Sequence, residues 1–153
     1  VSQQAGLNSR MDEIQAAVLR VKLPHLSQSL EDRINQASKY LNGLAGSSLQ
    51  LPSTRPGALH SYSLFVVRVR DERRGKLIKF LRRNGVIAGV HYPVPAHKMP
   101  AFRNNAFLPV TEKIAQEVVS LPLYPGLKDG EQDRIISALL LFSGGEDIQP
   151  ARN

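Results

Sequence analysis

The sequence has no cysteine and no tryptophan, and aromatic residues make up only 6% of it. Without cysteine there is no disulfide framework, no thiolate metal site and no cysteine nucleophile. No apolar run approaches the roughly 18 residues that a membrane-spanning helix requires. The first residues carry neither the basic nor the apolar region that opens a signal peptide. Together these absences predict a cytoplasmic protein with no membrane partner. Acidic residues are also scarce: 13 Asp and Glu stand against 20 Lys and Arg, for a formal charge of +7. Gly-x-Gly-x-x-Gly, P-loop and Gly-x-Ser-x-Gly patterns are missing, which removes the usual dinucleotide, nucleotide and serine-hydrolase readings.

What remains is an ordinary globular composition, 42% hydrophobic and 22% charged over 153 residues. A chain of this size buries roughly 68–70% of its unfolded surface, enough for one real core. The excess positive charge gathers in RVRDERRGKLIKFLRRNG, residues 68–85, where eight basic residues face only Asp71 and Glu72. On a helical wheel Lys76, Lys79, Arg82 and Arg83 share one side, and Leu77, Ile78 and Leu81 share the other. No aromatic residue is interleaved on the basic face, as a single-strand nucleic-acid binder requires. A solvated or anion-attracting face is therefore favoured over a nucleic-acid footprint.

The apolar spacing predicts a helical region over residues 9–44. Ser9 is its expected N-cap, Asp12 and Glu13 lie in its first turn, and Pro24 kinks or briefly breaks it. Gly43 and Gly46 are expected to end it. A loop over 47–60, a strand over 61–69 and a helix over 72–84 follow. A second short strand is expected over 86–92, then a proline-rich loop over 93–109. Thr111 is expected to cap a helix with Ile114, Ala115, Val118 and Val119 on its apolar side. Residues 120–127 read as extended. Asp129 and Gln132 resemble a capping box that opens a last helix with Ile135, Ile136, Leu139 and Leu140 inward. This order predicts a small α+β domain over 47–143, with one sheet covered by helices. It follows a long interface helix region in 1–46 and precedes a polar tail over 144–153. The first helix is too long for this domain to cover, so its apolar side is expected to pack against another body.

Two stretches could carry chemistry. In GLNSRMDEIQAAVL, residues 6–19, a helix start offers free N–H groups and a partial positive charge. Asn8 adds an amide and Arg10 a guanidinium. The stretch reads as a phosphate or carboxylate site, or as a plain cap in which Arg10 pairs with Asp12 or Glu13. In HYPVPAH, residues 91–97, His91, Tyr92 and His97 sit on a backbone stiffened by two prolines. That loop either touches a substrate or is purely structural. A metal there lacks a third ligand, because no carboxylate lies between Glu72 and Glu112.

The stretch GLNSRMDEIQAAVLRVKL (6–23) resembles the Gly-x-Asn-x-Arg-Met-x-Glu-x-Gln-Ala-Ala motif of the DegT/DnrJ/StrS family. These are sugar aminotransferases that use pyridoxal 5'-phosphate (PLP). HSYSLFVVRV (60–69), GVHYPVPAH (89–97), PAF (100–102), LPVTEKIAQEVVSLPLYPGL (108–127) and the last helix follow in the order of that family's C-terminal part. The resemblance thus covers nearly the whole chain. One departure is Ser63, where the family often has His.

The resemblance implies the C-terminal small domain of a type I aminotransferase fold, in a homodimer with PLP sites at the subunit interface. It implies that Asn8 reaches the PLP phosphate of the neighbouring subunit and that Arg10 lies near the same interface. His91, Tyr92 and His97 match a loop near the nucleotide-sugar substrate. The Schiff-base lysine is implied to lie in an upstream N-terminal PLP domain, and none of the lysines here sits in the family's lysine motif. The stretch alone is therefore expected to hold no catalytic residue, retain no PLP and show no turnover. The parent reaction would move an amino group from glutamate to a nucleotide-linked keto-sugar. Some relatives use PLP for dehydration instead, and the residues here do not separate the two. Two other readings stand beside this one: a free-standing, non-catalytic binding or assembly module derived from the domain, and a basic nucleic-acid-binding domain.

Overall fold

Asp12 starts the first helix. Its carboxylate accepts from the Ile14 N–H at 2.9 Å, and the Gln15 side chain accepts from the Asp12 N–H at 3.2 Å. This reciprocal cap opens α1, Glu13–Lys22. It corrects the expected cap at Ser9: residues 10–12 are not helical, because an aspartate three positions further on satisfies the orphan N–H groups itself. The structure is a computed structural model that describes residues 10–102 and 106–144; Asn8 and Ser9 lie outside the described residues.

Pro24 acts as expected. It sits in a 3-10 turn, Leu23–His25, between α1 and α2, Leu26–Gly43. Gly43 is the last residue of α2, and α5 comes close to it: a Cβ there would stand 2.9 Å from Ile136 Cδ1. Strand β1 is Phe65–Arg68, shorter than predicted. The basic helix α3 is Arg74–Arg83, with Leu77 and Leu81 buried. Lys76, Lys79, Arg82 and Arg83 are exposed on it, as the wheel predicts.

The C-terminal half departs further from the sequence reading. Helix α4, Pro109–Glu117, begins at a proline rather than at a Thr111 cap. Pro109 lacks only a donor that the first turn cannot use, and its fixed φ suits that position. Val118 and Val119 are not helical. They belong to β2, Val118–Leu121, which pairs antiparallel with β1 in the register Phe65↔Leu121 and Val67↔Val119. The expected strand over 86–92 is reduced to one bridge between Gly89 and Ser120. Pro93 cannot donate to a ladder, and Tyr92 turns into the left-handed region at φ 57°. Among the described residues the sheet has these two strands.

The last helix, α5, is Asp129–Ser143. Its cap is one residue earlier than the Asp129–Gln132 pairing predicts: Glu131 accepts from the Lys128 N–H at 3.2 Å. Gln132 is buried instead, and its Nε2 donates to the Gln36 carbonyl at 2.6 Å. Ile135, Ile136 and Leu139 point inward, whereas Leu140 is exposed. At 3.6 residues per turn Leu140 lies roughly 140° around from Ile135, and Ala138 and Phe142 take the inward arc.

The core gathers Tyr40 of α2 and Leu44 just past its end, Phe65 and Val67 of β1, Leu77 and Leu81 of α3, Val119 and Leu121 of β2, and Leu139 of α5. This is an α+β fold: a small sheet covered by helices, behind a long N-terminal helical pair. Tyr40 ties the layers together through its hydroxyl, which donates to the Pro122 carbonyl at 2.8 Å. Burial pushes that phenol well above its usual range. Tyr40→Phe leaves the carbonyl unpaired and is expected to cost about 1–2 kcal/mol in urea unfolding.

The core stops at the middle of α2. Met11 ahead of α1, Ile14, Val18, Leu19 and Val21 along it, then Leu23 and Leu26, are all exposed. The described chain leaves that apolar side uncovered.

Candidate functional site

The proline-rich segment between Val90 and Phe102 lies across β2 and α4. At its start, Gly89 and Ser120 exchange two backbone hydrogen bonds, 3.0 and 2.8 Å. Ser120 is buried, and its Oγ meets His91 Nδ1 at 2.8 Å. Further on, residues Ala96–Lys98 form a 3-10 turn. There His97 is buried to 8% exposure, and its Nε2 meets Glu112 Oε1 of α4 at 3.1 Å. An ionised carboxylate only accepts, so this ring nitrogen carries the proton. Lys98 Nζ donates to the other oxygen of Glu112 at 2.5 Å.

Between these two attachments Tyr92 stands out, 78% exposed at its left-handed backbone. Beneath the segment a groove of about 410 Å³ runs between Tyr92, Pro95 and Met99 on one side and Thr111, Ile114 and Val118 on the other. The groove is mostly apolar, with His91 at its rim. A second cleft of about 330 Å³ opens between residues 84–87 and α5, where it meets Glu131 and Arg134. None of the predicted site residues lines it. Among the described residues no three His, Asp or Glu side chains gather as a metal cluster.

The structure brings His91 and Tyr92 to the same groove and turns the His97 ring into a pair with Glu112. Arg10 is exposed ahead of α1, and Asn8 lies outside the described residues. The anion reading of the helix start is sharpened here. The Ile14 N–H is already taken by Asp12, which removes one backbone donor from a phosphate, and Arg10 is an exposed side-chain donor at the same end. Its charged guanidinium suits a phosphate oxygen. Sequence reasoning missed Glu112 and Ser120. Neither is close in sequence to its histidine partner, and Glu112 reads as a dipole-favoured charge in the first turn of α4.

Glu112 has a pH signature. The Lys98 ammonium, and then the His97 ring, hold its carboxyl below the usual value of 4.5. A carboxyl whose folded pKa is depressed favours the folded arrangement while ionised. That contribution is complete above 4.5 and is lost as pH falls through the lower, folded value. The attachment of the 96–98 turn to α4 is therefore expected to loosen on acidification below 4.5. Carboxyl-carbon NMR of Glu112, followed from neutral pH downward, should show a midpoint below that of the unfolded chain. A midpoint at or above 4.5 would contradict the two-cation arrangement.

The chain matches the DegT/DnrJ/EryC1/StrS aminotransferase family over residues 1–140. It is 42% identical over 139 residues to the dTDP-3-amino-3,4,6-trideoxy-alpha-D-glucose transaminase of Streptomyces venezuelae, a match that covers 88% of this chain and 36% of the relative. The crystal structure of S. venezuelae DesV in complex with a ketimine intermediate aligns with a TM-score of 0.83 at 39% identity, covering 96% of this chain and 40% of that one. NtdA from Bacillus subtilis with bound cofactor PMP aligns with a TM-score of 0.75 at 34% identity, covering 88% of this chain and 33% of that one. The chain thus spans well under half the length of the relatives it matches.

Proposed function

Because the chain belongs to the DegT/DnrJ/EryC1/StrS aminotransferase family, we propose that it forms the C-terminal part of a PLP-dependent enzyme that aminates a nucleotide-linked keto-sugar. The observation that carries this reading is the family match over residues 1–140, beside an alignment that covers only 36% of a dTDP-sugar transaminase. The uncovered apolar side of α1 supports it, since an upstream PLP domain and a homodimer partner would supply the missing surface. Residues 1–46 then serve that interface, and 47–143 form the small domain.

When bound, PLP supplies the electron sink that amino-group transfer requires. The residues of this chain bind and orient. Asn8 and Arg10 donate to the cofactor phosphate of the neighbouring subunit. His91 and Tyr92 line the sugar-nucleotide side of the groove, where the aromatic face of Tyr92 is open for stacking. His97 acts from behind, through its hold on α4. Glutamate is the proposed amino donor.

The test is a pair of preparations: the full-length protein with its upstream segment, and the 153-residue chain. Each is given PLP, glutamate and a dTDP- or UDP-linked keto-sugar. The full-length protein is expected to form amino-sugar, and the chain alone to form none. In the full-length protein, Asn8→Ala is expected to weaken PLP binding about tenfold or more, the loss of one hydrogen bond to a charged group. Turnover by the isolated chain, or no amination by the full-length protein with any keto-sugar nucleotide, would sink the proposal.

A further inference from the structure

Tyr92 holds a backbone conformation that ordinary side chains rarely adopt, with φ 57°. Such a residue persists only where its surroundings over-determine it. The attachments on either side of it supply that constraint. At one end, His91 Nδ1 meets Ser120 Oγ at 2.8 Å, and Gly89 pairs with Ser120 through both backbone groups. At the other end, the Glu112 carboxylate takes His97 Nε2 at 3.1 Å and Lys98 Nζ at 2.5 Å. The 3-10 turn at 96–98 is held by only two backbone bonds of its own, Lys98 N–H to Pro95 O and Met99 N–H to Ala96 O. Its position on α4 therefore depends on Glu112. Pro93 and Pro95 stiffen the span between the two attachments, so a shift at either end is passed to Tyr92 rather than absorbed.

We infer that Glu112 and Ser120 are positioning residues: they latch the 91–97 segment to α4 and β2 and thereby set the pose in which Tyr92 faces the substrate. This rests on the proposed sugar-nucleotide role of the groove. Neither residue touches substrate itself. Glu112 works through His97 and Lys98, and Ser120 through His91. Misplacing a substrate-binding side chain weakens binding of that substrate while leaving steps that do not involve it untouched.

The experiment uses the full-length protein loaded with PLP and the variants Glu112→Ala, Glu112→Gln and Ser120→Ala. Hydrogen exchange of the peptide covering 91–102 is expected to quicken about tenfold or more in Glu112→Ala, with exchange in β1 and α5 unchanged. Glu112→Gln keeps an acceptor for His97 and should fall between wild type and Glu112→Ala. The KM for the keto-sugar nucleotide is expected to rise about tenfold in Glu112→Ala and severalfold in Ser120→Ala, while the KM for glutamate and kcat change less than about twofold. Unchanged exchange of 91–102 in Glu112→Ala overturns the latch. Faster exchange with an unchanged sugar KM overturns the positioning role. If the wild-type full-length protein aminates no sugar nucleotide, the functional reading fails on its own, and the exchange result still decides the latch. If Glu112→Ala does not fold, Glu112→Gln carries the same comparison.

Discussion

Arg68→Ala is expected to cost about 3 kcal/mol of stability, far more than a surface ion pair is worth. Arg68 Nη2 and Nε both reach Glu117 Oε2, at 2.6 and 3.0 Å. The Glu117 side chain is 9% exposed, and that of Arg68 is 26% exposed. Truncating the arginine leaves a carboxylate at the α4–β2 junction with no cation and little water. The same glutamate accepts the Val69 N–H through its backbone carbonyl at 2.9 Å. Arg68 in turn exchanges two backbone bonds with Gln50, so the strand must stay where the uncompensated charge is. The partial exposure of Arg68 admits some water to the pair and keeps the expected loss at the lower end of the range for buried pairs. Replacing both residues, as in Arg68→Met with Glu117→Leu, removes the stranded charge and should recover most of the loss. Urea unfolding of the three variants is the measurement. A cost below about 1 kcal/mol for Arg68→Ala would show that the pair behaves as a surface contact.

That pair also marks the limit of what the sequence showed. The basic helix was legible because one periodicity sorted its residues: Leu77 and Leu81 went inward while Lys76, Lys79, Arg82 and Arg83 stayed out. The break at Pro24 was legible because a proline has a single mechanical effect inside a helix. Strand β2 was not. Ile114, Ala115, Val118 and Val119 satisfy helical spacing, and nothing local says that the chain changes to an extended form after Glu117. The change is imposed by pairing with β1, a contact about fifty residues away along the chain. The expected strand over 86–92 fails for the complementary reason. Its β-branched residues fit a strand, but among the described residues its one bridge is to Ser120, and the prolines that follow close the ladder after it.

The site divides in the same way. His91, Tyr92 and His97 could be named as candidates because they are polar or aromatic groups on a stiff loop, and the family resemblance gave them a context. Their separate duties could not be read from the sequence. That His97 is buried against Glu112 while Tyr92 is open follows from where α4 docks, which depends on β2 and so on the long-range pairing that the sequence did not display. Asn8 and Arg10 show the opposite limit. The motif that names them is local, and the residues that would complete their site belong to the proposed upstream domain and partner subunit.

Phe65→Ala is expected to have the largest effect of any single truncation in the core, about 3–5 kcal/mol. Phe65 is fully buried, and its ring lies tilted against Tyr40 at 4.9 Å and stacked on Tyr62 at 6.0 Å. It therefore joins α2, the approach to β1 and, through its register partner Leu121, the end of β2. Removing the ring opens a cavity that the surrounding elements cannot close independently. Tyr40 is fixed by its hydrogen bond to Pro122, and Tyr62 sits in a left-handed backbone at φ 45°. Its amide is held by His60 Nδ1 at 2.9 Å. Loss of the two ring contacts adds roughly 0.5–1.5 kcal/mol per aromatic pair to the hydrophobic loss. Domains of this kind hold only about 5–15 kcal/mol in total, so the variant should sit near its unfolding transition at 37 °C. Phe65→Leu keeps most of the volume and is expected to cost about 1.5 kcal/mol or less. Near-ultraviolet circular dichroism of the tyrosines, together with urea unfolding, distinguishes the two: the alanine variant should lose the fixed Tyr40 and Tyr62 signal before the helical signal goes. An alanine variant that costs under about 1.5 kcal/mol would mean that the core collapses around the gap, and that Phe65 is not the point where the layers meet.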